Sequence, residues 1–222
     1  VGNVHTLPAI ALVDPELTLS LPPAITASTG FDALAHAMEA YTSKIENPVV
    51  DMYCEQAIRL VGRHLRAAVA DGSDIEARSA MSLASTLAGV ALGVCIVTVC
   101  HGLAHAVGGV CGTTHGETLA ALTVATLRRN MNAHPEKFGR IGLLLTGSHV
   151  PEGADPLEFG LDAVNRLIAD IGLDRRLSDM GVTEDQLAAI ADGTQKYMGY
   201  NLMINPCELS RDDLMAILRE SL

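Results

Sequence analysis

Tryptophan is absent, and aromatic residues make up only 3% of the 222 residues. A core without large rings has to be filled by Leu, Val, Ile, Ala and Met. That suits close-packed helices better than a β-sandwich. Basic residues are scarce as well: 15 Lys and Arg stand against 26 Asp and Glu, a formal net charge of −11. So acidic a chain excludes nucleic acid as a partner, because phosphate contacts need Lys and Arg to displace counterions. No CxxC spacing occurs among the five cysteines, Cys54, Cys95, Cys100, Cys111 and Cys207. An odd number without paired spacing reads as reduced thiols in a cytoplasmic protein. No GxGxxG turn follows a strand, so the usual sequence sign of a dinucleotide site is missing. The chain opens on Val1 with no basic segment leading into an apolar run, and no signal peptide is expected.

What is abundant is apolar character. Hydrophobic residues reach 49% and the mean hydropathy is +0.28, too apolar for a disordered chain. From Ser79 to Gly116 there is no Asp, Glu, Lys or Arg. The centre of this run, SAMSLASTLAGVALGVCIVTVC, has the length of a membrane span and a Gly89-x-x-x-Gly93 pair. Its flanks carry no Lys/Arg cluster and no Trp/Tyr belt. Small residues dominate it, and His101, His105 and His115 follow at once. We therefore expect a buried helix that walls a site, and no membrane partner.

The coarse pattern is helical. Ala9 to Val13 is a short apolar run closed by Asp14-Pro15 and reads as one buried strand. Leu21-Pro22-Pro23 breaks the chain. Helices are expected over 28–41, over 48–70 behind an Asn47 cap with Pro48 in the first position, and then over 74–94, 100–110 and 115 to just before Pro135. Further helices are expected over 136–145, 155–171, 184–198 and 211–222, with N-cap regions at Thr183 and Ser210. Residues 147–153 read as a surface loop. The expectation is an all-α domain over 26–222, preceded by a segment, 1–25, holding a single strand. A lone buried strand cannot satisfy its own backbone, so its sheet must come from another chain or from residues outside this sequence.

The chemistry-bearing residues are few. Asp32 and His36 lie four apart and share one helix face. They fit either a structural hydrogen-bonded pair or two ligands of a metal. His101 and His105 have the spacing of a zinc-protease helix but lack its Glu, which argues against a peptidase. His115-Gly116 opens the next helix, and glycines at 102, 108, 109, 112 and 116 let backbone or ligand approach closely. One carboxylate with several imidazoles suits a divalent ion of borderline hardness, Fe(II) or Zn(II). An open position on such an ion would bind and polarise a substrate oxygen. Glu39 reads either as a partner that orients a ligand or as a carboxylate that only stabilises its helix. His5, His64, His134 and His149 read as surface residues. Cys95, Cys100 and Cys111 read as small buried hydrophobes, Arg175-Arg176 as a solvated turn, and Met38, Met52 and Met81 as packing.

These motifs carry a resemblance. TGFDALAHAMEAY, NPVVD, the small-residue helix, HGLAHAVGG and TTHG follow one another as in the C-terminal half of the iron-containing (group III) alcohol dehydrogenases. AIALVDPELTLSLPPAITASTG resembles the segment that joins that family's two domains, and GVTEDQLAAIADGTQKYMGYNLMINP resembles its C-terminus. The resemblance implies the helical C-terminal domain of the dehydroquinate synthase-like, iron-alcohol dehydrogenase fold. The single strand would then belong to a missing N-terminal α/β domain. It implies Asp32, His36, His101 and His115 as metal ligands, with His105 beside the nicotinamide and the substrate. It implies oxidation of a small alcohol to an aldehyde or ketone, with hydride passing to NAD(P)+, and iron or zinc as the metal. It further implies a homo-oligomer when complete. The family's nucleotide-binding domain, with its GGGS turn, is absent from this sequence, so the fragment is expected to be inactive alone. The family usually has NPR where this chain has Asn205-Pro206-Cys207. Two alternatives remain at this point. One is a partner-dependent or free-standing metal-binding domain. The other is a glycerol dehydrogenase-like enzyme, whose metal is typically held by one carboxylate and two His.

Overall fold

A computed structural model of the chain describes residues 8–222; the expectation for His5 lies outside them. Ten α-helices make up most of the described residues: α1 (Pro23–Thr42), α2 (Pro48–Ala70), α3 (Ile75–Cys95), α4 (Val99–Cys111), α5 (His115–Asn130), α6 (Pro135–Thr146), α7 (Pro156–Asp170), α8 (Glu184–Tyr197), α9 (Gly199–Met203) and α10 (Arg211–Ser221). The all-α expectation is met, and residues 147–153 form the expected loop.

The expected strand is not. No strand forms among the described residues. Residues 9–13 are exposed throughout, with Ile10 at 80% and Leu12 at 93% of full accessibility. A ladder needs a second backbone to exchange hydrogen bonds with, and none reaches this segment among the described residues. The chain then makes a 3-10 turn, Pro15–Thr18, capped by Asp14, whose side chain accepts from the Glu16 N–H.

α1 is the centre of the molecule. Fourteen of its 20 residues are buried, and it touches α2, α3, α5 and α6. It begins at Pro23, five residues before the expected Ser28. The Pro-Pro pair therefore opens the helix rather than merely breaking the chain, as proline can in a first turn where its missing N–H has no partner to lose. α2 follows the capping expectation: the Asn47 side chain accepts from the Val49 and Val50 N–H groups, with Pro48 at the first position. Its buried residues Val50, Cys54, Ala57, Ile58, Val61, Leu65 and Ala68 recur at the three- and four-residue spacing of one helix face. α6 and α7 pack against α2, while α4, α5, α8 and α10 form the other flank.

α3 corrects a second expectation. It has the length and hydropathy of a membrane span, yet only 28% of its most apolar window is buried. Ala77, Ala84, Ala88, Ala91 and Cys95 face the core, while Leu83, Val90 and Val94 are exposed. The absence of charge therefore does not mark an all-round core helix. Met52 is a third correction: it is 71% exposed, because its position on α2 lies off the buried face. His64 and His134 are half-buried rather than fully on the surface, whereas His149 is exposed. Arg175 and Arg176 do more than face water: Arg175 pairs with Glu117 at 3.5 Å, and Arg176 donates to the Glu220 carbonyl at 3.1 Å. Cys207 closes a buried knot in which the side chains of Asn130 and Asn205 donate to each other at 2.9 and 3.0 Å. Its own thiol reaches the Asn130 side-chain oxygen at 3.1 Å.

Scarce aromatics and plentiful small residues allow close helix crossings. A Cβ on Gly62 would stand 2.2 Å from the Leu145 carbonyl oxygen, so α2 and α6 meet backbone to backbone. Gly193 in α8 has nothing within 4 Å of such a Cβ. We predict that Gly62→Ala lowers the unfolding free energy by about 1–3 kcal/mol through overpacking. Gly193→Ala should raise it by about 1 kcal/mol through helix propensity. Urea unfolding of the two variants checks this; equal effects would refute the close crossing.

Candidate metal centre

Three helices supply the site. α1 contributes Asp32, His36 and Glu39; α4 contributes His101 and His105; α5 begins with His115. What brings α5 to α1 is Gly116, where a Cβ would stand 2.3 Å from the Ser28 carbonyl oxygen and 2.4 Å from its hydroxyl. Of the other glycines expected to permit close approach, Gly112 is needed for its conformation, with φ +69° at the end of α4. Gly109 has open space around it.

The geometry converges on Asp32. Its Oδ1 lies 3.2 Å from His101 Nε2, 3.6 Å from His115 Nε2 and 3.7 Å from His36 Nδ1. Asp32, His101 and His115 each offer a donor atom, and the three atoms lie within 4.8 Å of one another. His36 stands one step outside this group, its ring stacked on His101 at 4.5 Å between centroids. His105 is further out: its ring lies 6.2 Å from that of His101 and 5.1 Å from that of His115. The His101 side chain is 2% exposed and forms the floor, while that of His115 is 38% exposed and stands at the mouth beside His105. The structure thus gathers all five residues singled out in the sequence. Cys95, Cys100 and Cys111 are not in the donor group. The Cys100 thiol turns instead to the Leu119 carbonyl, and burial pushes it far up.

Behind the floor lies Glu39. It is buried, with one oxygen 2.5 Å from His101 Nδ1 and the other accepting from the Thr98 N–H at 2.6 Å and the Thr98 hydroxyl at 2.7 Å. Of the two readings of Glu39, the contacts fit the partner of a ligand candidate; its other acceptances go to Thr98, the residue that precedes α4, and not to its own helix. Thr98 carried no sequence signal of this role, nor did Asn201, whose side chain donates to the Val97 carbonyl at 2.8 Å. Ahead of them, at the end of α3, Ile96 is the non-glycine residue with positive φ among those described, at φ 57° and ψ 176°. That region belongs almost entirely to glycine.

The electrostatics suit a cation. Burial works against the Asp32 carboxylate, but the His101 hydrogen bond and the nearby imidazoles outweigh it and hold its pKa below the ordinary value. Burial pushes His36, His105 and His115 down, so their ring nitrogens carry free lone pairs at neutral pH. Burial also opposes charge on His101, yet the Glu39 and Asp32 carboxylates prevail and push it up to about 9. An ionised carboxylate among imidazoles is the donor chemistry of Fe(II) and Zn(II) sites, and the residues present fit such an ion.

Residues 26–222 match the family described as "Fe-containing alcohol dehydrogenase family, C-terminal". The chain belongs to the Fe-containing alcohol dehydrogenase family. Among its relatives, 1,3-propanediol dehydrogenase of Klebsiella pneumoniae is 40% identical over 219 residues, 98% of this chain and 56% of that protein. The crystal structure of a 1,3-propanediol oxidoreductase superposes with a TM-score of 0.90 at 40% identity, covering 94% of this chain and 55% of that one. Sulfoacetaldehyde reductase from Bifidobacterium kashiwanohense, solved in complex with NAD+, superposes with a TM-score of 0.84 at 32% identity, covering 96% and 54%. The chain spans about half the length of the curated relatives it matches.

Gly116 offers a test of how this Fe-containing alcohol dehydrogenase domain assembles its site. In Gly116→Ala, the new methyl must retreat from Ser28 to ordinary contact, moving the start of α5 by about 1 Å. We predict a wider His115–Asp32 separation in a crystal structure of the variant and a loss of about 1–3 kcal/mol in stability. An unchanged separation would show that His115 is not positioned by this contact.

Proposed function

We propose that this chain is the metal- and substrate-binding half of an NAD(P)-dependent alcohol dehydrogenase, oxidising a small alcohol to an aldehyde or ketone. The observation that carries the proposal is the convergence of Asp32, His101 and His115 donor atoms within 4.8 Å. Asp32, His36, His101 and His115 would hold the metal, Fe(II) by family or Zn(II) by donor chemistry. When bound, the ion supplies Lewis-acid polarisation of the substrate oxygen.

The protein's own residues set the terms. Asp32 brings the negative charge that offsets a cation, and being half-buried it loses little of that to solvent. His36 and His101 stack, each restricting the other's ring. His105 lies outside the donor group, exposed and with its pKa pushed down, so its ring nitrogen is free to accept a proton beside the mouth. The nucleotide would be held chiefly by an N-terminal α/β domain that residues 26–222 do not supply, with residues 1–25 as the joining segment. The relative solved with NAD+ supports a nicotinamide acceptor. The complete enzyme would be a homo-oligomer.

Metal titration under anaerobic conditions tests the reading. The chain is expected to take up one Fe(II) or Zn(II). Asp32→Ala and His101→Ala should weaken uptake by more than about 100-fold, since each deletes a donor. His105→Ala should leave it unchanged. Tight binding by His101→Ala would overturn the ligand assignment. Incubated alone with NAD+ and a primary alcohol, the chain should form no NADH. Steady formation would contradict the assignment of nucleotide binding to another domain.

A further inference from the structure

The way Glu39 spends its acceptors fixes more than the position of His101. The Thr98 N–H and hydroxyl both address one Glu39 oxygen, at 2.6 and 2.7 Å. A backbone N–H only donates, so that oxygen must accept. The other oxygen faces His101 Nδ1 at 2.5 Å. An ionised carboxylate has acceptors and no donors, so Nδ1 must carry the hydrogen. In the neutral ring the lone pair then sits on Nε2, the atom 3.2 Å from Asp32 Oδ1 that belongs to the donor group with His115.

We propose that Glu39 is a positioning residue that dictates which nitrogen of His101 meets the metal: Nδ1–H is locked, and Nε2 is left open. This rests on the metal-centre reading above. The fold makes the choice rigid. Thr98 caps α4 three residues before His101, so the carboxylate holds both the ring and the helix that bears it. The joint cannot easily slide, because Asn201 grips the Val97 carbonyl and Ile96 is held in a glycine-like conformation.

Glu39→Gln separates this role from a merely structural one. It keeps size and shape. The Thr98 N–H still needs an acceptor, so the Gln oxygen must turn to Thr98 and its NH2 must face His101 Nδ1. Nδ1 then has to accept, so the ring carries its hydrogen on Nε2 alone, where Asp32 Oδ1 receives it. The variant therefore folds with the wrong nitrogen protonated. We expect 15N NMR of histidine-labelled chain, with His101 assigned by comparison with His101→Ala, to show Nδ1 protonated in the wild type and unprotonated in Glu39→Gln. Zn(II) affinity should fall by about 100-fold. Nδ1 still protonated in Glu39→Gln, together with unchanged Zn(II) affinity, would overturn the proposal. Should the variant fail to fold, the wild type decides: an unprotonated His101 Nδ1, with or without Zn(II), is equally fatal. The nitrogens are read without metal, so a wild-type chain that takes up no Zn(II) overturns the metal-centre reading while the nitrogen comparison still judges this one.

Discussion

A carboxylate inside the protein, Glu39, is the constraint on which the rest of the structure depends. Burying an ionised group costs several kcal/mol unless it is paired and hydrogen-bonded. Glu39 has no water to turn to, so the fold has to deliver donors to it. It does so with a single stretch, Thr98 to His101, which offers a backbone N–H, a hydroxyl and an imidazole. That requirement fixes α4 against α1. It also explains why a β-branched residue tolerates the conformation of Ile96: strain of about 1–3 kcal/mol at such a residue is smaller than the penalty of leaving Glu39 and Thr98 unpaired.

The small-residue composition works toward the same end. Three helices can place side chains around one carboxylate oxygen only if their axes come close. Gly116 lets the start of α5 rest on Ser28, and Gly30 leaves room on another face of α1 for Leu65, which a Cβ would meet at 2.3 Å. Larger residues at these points would fill space but separate the helices. The low aromatic content seen at the outset is thus part of how the donors are brought within reach.

How much of this was legible in the sequence follows from range. Local patterns were readable: the Asn47-Pro48 start of α2, the Ser210 box in which Asp213 and Ser210 cap each other, and the four-residue spacing of Asp32 with His36. The five candidate residues stood out because their types are rare in an apolar run and match a family pattern. The Pro23 start was missed because the same dipeptide can break or open a helix. Ala9 to Val13 has strand composition, but composition does not supply a partner strand. α3 was misjudged because an uncharged sequence says nothing of how many sides are covered. Thr98 and Asn201 were invisible because their roles arise from contacts 59 and 104 positions away.

Charge balance links the buried carboxylate to the proposed metal. Asp32 and Glu39 place two negative charges on either side of the His101 ring. A divalent cation held at Nε2 would neutralise both, one directly and one through the polarised imidazole. With no cation, the interior needs another positive charge, and His101 provides it: its affinity for a proton rises to a pKa of about 9 despite burial. The proton and the metal are alternatives for the same nitrogen under the same field. This accounts for a feature that would otherwise be puzzling, a buried histidine with raised basicity surrounded by three histidines pushed the other way. Burial governs the neighbours: Asp32 draws His36 and His115 upward but is outweighed, and the His101 charge adds to the downward push. The site is therefore asymmetric before any ligand arrives: the His101 ring is held charged until a cation displaces the proton on Nε2, and the remaining imidazoles stay neutral, with lone pairs free for a cation or, at His105, for a proton.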